Sequence, residues 1–141
     1  MTWKEEAKMT IQPEEIKIVS DVNCKNSPKK ELLRDLNIAT VKQQLEAPLH
    51  WLEEEVEWNI IGDENIQDLE AVEEKLKSIL KIPIQEFHID NIITHGNTAA
   101  LNGKIINENQ PSIDFCHIYL FKGHSKTAKI KKITSYLIET N

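Results

Sequence analysis

The chain has 141 residues, of which 40% are hydrophobic and 28% charged, and its formal net charge is −6. That length suits one domain burying about two-thirds of its unfolded surface, and the acidic balance argues against a broad nucleic-acid footprint, which needs a basic face. No apolar run approaches the roughly 18–20 residues that span a bilayer, and MTWKEEAKMT is charged where a signal peptide is apolar. A cytoplasmic protein without a membrane partner is therefore expected.

Residues 1–15 are polar and aperiodic and read as an N-terminal arm, with a helical turn near Trp3; residues 16–141 read as one domain. Ile16, Ile18 and Val22 suggest a short strand. Ser27 can cap a helix whose first position suits Pro28, because proline's missing donor costs nothing there. Leu32, Leu36, Ala39 and Gln43 then share a face, with Leu33 and Thr40 beside them, which predicts a helix over 28–45. Pro48 opens a second, short helical piece, PLHWLEEE, and the EEEVE run at 53–57 reads as its solvated end.

VEWNII is the first strong strand signal, and Gly62 with Asp63 turns it into a short hairpin. Asp68 can cap the next helix, where Leu69, Val72, Leu76 and Ile79 recur at helical spacing. Only strands follow: IQEFHIDNIIT, the tight turn HGN, TAALNGKII, the loop NENQPS, SIDFCHIYLF, the polar loop KGHSKTAK and IKKITSYLI. Helices segregated from a long antiparallel sheet make an α+β fold. The last two strands are apolar on both faces, whereas an antiparallel sheet usually leaves one face wet. A homodimer is expected through the face carrying Cys116, Ile118, Leu120, Tyr136 and Ile138.

Within FCHIYLF, Phe115, His117, Tyr119 and Phe121 fall on one face and Cys116 on the other, so a Cys116–His117 nucleophile pair is sterically excluded on a regular strand. Five histidines show no metal-ligand spacing, and no metal site or cofactor is expected. There is no GxSxG, phosphate-binding loop or GxGxxG motif. Cys24 and Cys116 read as reduced thiols.

LxWLEEEVEWxIIGDxxIxDLEAV, HGNTAALNG and the terminal IDFCHIYLF…IKKITSYLI together resemble the nuclear transport factor 2-like superfamily, and within it the SnoaL-like branch of small bacterial proteins, over roughly residues 28–139. The resemblance implies a cystatin-like cone, a curved antiparallel sheet wrapped around helices, with an apolar pocket and dimerisation through the outer sheet face. That superfamily holds isomerases, cyclases, dehydratases, epoxide hydrolases and binding proteins without chemistry, so fold does not give function. In its ketosteroid isomerases the base would fall at Asn59, the oxyanion tyrosine at Asp35 and the protonated aspartate at His117. All three differ, and an amide cannot act as a base near neutral pH.

Three readings follow. The first is a binding module holding a small, mostly apolar or aromatic molecule in a pocket lined by Trp51, Asn59, Asn102, Phe115, His117, Tyr119 and Leu137. The second is a cofactor-free lyase or isomerase in which Asp35 and His117 face one another as an acid–base pair. The third is an interaction protein working through its sheet face. Ser135, between Ile133 and Leu137, is a further candidate for the inner face.

Overall fold

The computed structural model describes residues 15–81, 83–109 and 111–140. The expected arm lies outside these residues except for Glu15, and so does the helical turn near Trp3. In chain order the elements are β1 (Lys17–Ser20), α1 (Pro28–Val41), α2 (Glu46–His50), β2 (Leu52–Ile60), β3 (Asn65–Gln67), α3 (Leu69–Ile79), β4 (Ile84–His95), β5 (Thr98–Asn107), β6 (Ser112–Phe121) and β7 (Ile130–Thr140).

Helix α1 begins where proline permits. Pro28 opens it and Ser27 precedes it in extended backbone, though the Ser27 hydroxyl makes no capping bond. The helix stops at Val41, short of the expected position 45, because Gln43 adopts a left-handed backbone with φ of 62°. The Gln43 amide is held there by donating to the Leu80 carbonyl at 2.8 Å. At the other end Lys29 donates to the Gly96 carbonyl at 2.7 Å and sits over the Phe121 ring. Helix α3 is capped as expected: the Asp68 carboxylate accepts from the Ala71 N–H at 2.9 Å.

The glutamate run belongs to a strand, not to a helix end. Val56, Trp58 and Ile60 are buried at period two and Leu52 is buried at the strand's start, while Glu54 and Glu55 between them are exposed where the pairing with β7 is irregular. Glutamate favours helix locally, but burying the alternating apolar face of β2 overrides that preference.

The seven strands form one curved, unclosed sheet in the order β1-β4-β5-β6-β7-β2-β3. The meander from β4 to β7 is antiparallel. Its two ends are extended by parallel partners: β1 joins β4, and β2 joins β7. The expected antiparallel meander thus forms the middle of the sheet, and parallel partners that sequence reading did not place extend both its ends. Gly103 sits opposite a β-bulge between Ile89 and Asn91. A Cβ there would collide with the His88 carbonyl, so only glycine fits.

The inner face of the sheet packs on the helices. Leu33 and Leu36 of α1 and Val72 and Leu76 of α3 are buried with Phe87, Leu101, Phe115, Phe121 and Ile130. The Phe87 and Phe115 rings stack with centroids 5.4 Å apart. Among the described residues no helix is long and apolar enough to cross a membrane.

Candidate functional site

Three adjacent strands bring the polar residues of the inner face into line. His117 of β6 lies directly opposite Ser135 of β7, and Ser135 lies opposite Ile60 of β2, two residues beyond Trp58. The Trp58 indole N–H donates to the Ser135 hydroxyl oxygen at 2.8 Å. That same oxygen is 2.7 Å from His117 Nδ1. Ser135 is fully buried.

A second polar contact joins α1 to β6. The Asn37 amide nitrogen donates both to the Leu33 carbonyl, at 2.8 Å, and to the Tyr119 hydroxyl oxygen, at 2.9 Å. The orientation of that amide is fixed, because a backbone carbonyl can only accept.

These groups border a cavity of about 90 Å³ between the sheet and the helices. Leu36, Asn37 and Thr40 come from α1, Pro48 from α2 and Val72 and Leu76 from α3. The sheet supplies Leu52, Trp58, His117, Tyr119, Ile130, Ile133 and Ser135. The wall is mostly apolar, and among the described residues it holds no Asp, Glu, Lys or Arg. Burial lowers the His117 pKa from 6.5 to about 4, so the ring is neutral near pH 7. Burial pushes the Tyr119 phenol up, so it keeps its proton.

The structure separates residues that the sequence reading grouped. Asp35 is turned to solvent, its side chain 58% exposed and paired with Arg34 at 3.1 Å. The expected Asp35–His117 pair is thus corrected: His117 bonds to Ser135, and the cavity lining does not include Asp35. The reason is a rotation of the helix stripe. Leu33, Asn37, Thr40 and Val41 face inward at i, i+4, i+7 and i+8, which leaves Asp35 on the outer flank.

His117 and Tyr119 line the cavity as expected; the other five expected lining residues do not. Trp51 borders a separate surface groove beside His50. Asn59 sits between buried Trp58 and buried Ile60, so strand alternation turns it to the other face. Asn102 accepts from the Asn91 amide at 3.0 Å on the outer sheet face. Phe115 is core, packed behind the His117 ring at 5.0 Å between centroids. Leu137 lies near the end of β7 and is 42% exposed.

Asn37, Thr40 and Trp58 are cavity residues that sequence reasoning did not select. The signal for Asn37 was its spacing of four from Leu33, obscured because a polar residue interrupts an apolar stripe. Cys24 and Cys116 are free thiols. Among the described residues no three His, Cys, Asp or Glu side chains gather as a metal site.

Solved structures share this architecture. A protein of unknown function from Cytophaga hutchinsonii superposes with a TM-score of 0.61 at 22% identity, covering 77% of this chain and 97% of its own. A Burkholderia xenovorans protein of unknown function gives 0.68 at 16% identity, covering 84% and 89%. Both are described as NTF2-like, that is, like nuclear transport factor 2. The chain has the NTF2-like fold. A Shewanella denitrificans protein described as a SnoaL-like polyketide cyclase gives 0.65 at 11% identity, covering 80% and 92%. No family model matches the chain, and no curated protein matches it. At these identities the likeness concerns the NTF2-like fold alone, and the site must be argued from its own residues.

Proposed function

We propose that this NTF2-like chain is a SnoaL-like binding module that holds a small, mostly apolar molecule in the cavity between its sheet and helices. The observation that carries this reading is the cavity itself: an apolar wall interrupted by a few hydrogen-bonding groups, as in ligand pockets generally. Its size limits the occupant. Drug-sized ligands need about 300–1,000 Å³, and an engineered apolar cavity of about 150 Å³ accepts benzene. A cavity of about 90 Å³ suits a molecule of benzene size or smaller, not a steroid. The acid–base reading loses its carboxylate, since Asp35 is turned to solvent and no other carboxylate among the described residues lines the cavity.

Trp58 touches the cavity and Trp51 does not, so the two indoles form an internal control. Titration with the small hydrocarbon methylenecyclobutane should move the indole N–H resonance of Trp58 and leave that of Trp51 in place. A Trp58 resonance indifferent to the hydrocarbon would refute the proposal.

We further propose that a second copy of the chain covers the outer sheet face. Ile93 and Ile138 there are 65% and 62% exposed, and Tyr136 is 44% exposed. Ile93 pairs with Ala100, which pairs with Ile118, and Cys116, two residues before Ile118 on the same face, pairs with Tyr136, so the apolar patch steps diagonally from β4 to β7. Such patches on soluble proteins usually mark contact surfaces.

A further inference from the structure

Every proton around the cavity can be assigned by counting donors and acceptors. Trp58 Nε1 only donates, so the Ser135 oxygen must accept from it. Ser135 is fully buried and has one other described partner, His117 Nδ1. If Nδ1 carried a proton and donated it, the serine proton would be stranded without an acceptor, which buried hydroxyls avoid. The serine therefore donates to Nδ1, and the neutral imidazole carries its proton on Nε2. Nε2 has no partner among the described residues, and the ring lines the cavity.

Tyr119 yields to the same count. Its oxygen accepts from Asn37, whose other amide proton goes to the Leu33 carbonyl. The phenolic proton has no acceptor among the described residues. His117 and Tyr119 are two residues apart on the inner face of β6, with ring centroids 6.1 Å apart.

We infer that the cavity is built to take a small neutral carbonyl compound, whose oxygen accepts from His117 Nε2–H and Tyr119 O–H while its apolar body fills the remaining space. The inference rests on the proposed binding role of the cavity. It names a neutral acceptor because, among the described residues, the wall carries no cation to offset a buried carboxylate and no anion to hold an ammonium group. His117 acts as a donor here, with its basic nitrogen already engaged by Ser135.

The test compares cyclobutanone with its isostere methylenecyclobutane, in which CH₂ replaces the oxygen, and with cyclobutylamine, followed by chemical-shift titration. Tyr119→Phe should weaken cyclobutanone binding about fivefold, the value of one neutral hydrogen bond, and leave methylenecyclobutane unchanged. Equal effects on both, no effect on either, or binding of cyclobutylammonium as tight as that of the ketone would overturn the inference and leave the pocket standing. Failure of both ketone and hydrocarbon to bind the unaltered protein would overturn the pocket and the inference together. A second readout needs no substitution. The carbonyl ¹³C resonance of bound cyclobutanone should lie at or downfield of its position in water; a position like that in a hydrocarbon solvent would sink the inference.

Discussion

Ser135 is the residue on which the inner-face polar row depends. It satisfies Trp58 Nε1 and His117 Nδ1 at once, from a fully buried position. Ser135→Ala strands both, at about 1–3 kcal/mol for each buried group. Urea unfolding should register a loss of about 2–6 kcal/mol; a loss under about 1 kcal/mol would show that the row carries little. His117 adds a pH dependence of defined sign. Its folded pKa of about 4 lies below its ordinary 6.5, so the unfolded chain binds the extra proton first. The stability linked to this ring is complete above pH 6.5 and is lost as pH falls towards 4. The ring keeps some exposure to the cavity, so the full loss is on the order of 2–3 kcal/mol. His117→Gln should flatten the difference in unfolding free energy between pH 7 and pH 4.5; an unchanged slope would assign it to the carboxylates. The inward direction of His117, Tyr119 and Ser135 was legible from strand alternation, whose period of two groups residues by face. Asn59 and Asn102 were assigned to the wrong face, because alternation alone does not say which face is inner. The directions of Asn37 and Asp35 were not legible, because a helix rotates 100° per residue and a stripe misjudged by one position exchanges inside for outside.

Among the elements, the four long strands and α3 were legible because apolar spacing and turn residues agree there. The start of β2 was hidden by three glutamates, and the parallel pairings of β1 and β2 leave no local signal, since they join segments far apart in sequence. Two substitutions probe the joints between elements. Asp68 caps α3 from a backbone with φ of 72° and ψ of 158°, a region that glycine alone occupies readily. Asp68→Ala should cost about 1 kcal/mol, losing the cap and keeping the strain. Asp68→Gly should be nearly neutral, since relief of strain offsets the lost bond. Equal losses for the two would contradict that division. Gly103→Ala drives a methyl into the His88 carbonyl across the bulge, where only backbone could yield. It should destabilise by about 2 kcal/mol or more in urea unfolding.

For the molecule as a whole, the NTF2-like sheet divides two tasks between its faces. The inner face shapes the cavity, and the outer face carries an apolar patch that we propose a second copy covers. Light scattering at micromolar concentration should give a dimer for the unaltered chain and a monomer for Ile93→Glu with Ile138→Glu; a monomeric unaltered chain would remove the proposed interface. Both faces meet in β6, so the claim on which the functional account turns is the state of the one inward histidine of that strand. The most direct test is the imidazole ¹⁵N spectrum of His117 in the intact protein at pH 7, with and without saturating cyclobutanone. The account predicts a neutral ring protonated at Nε2, whose N–H resonance moves when the ketone binds. A charged ring, a proton on Nδ1, or a resonance indifferent to the ketone would contradict it.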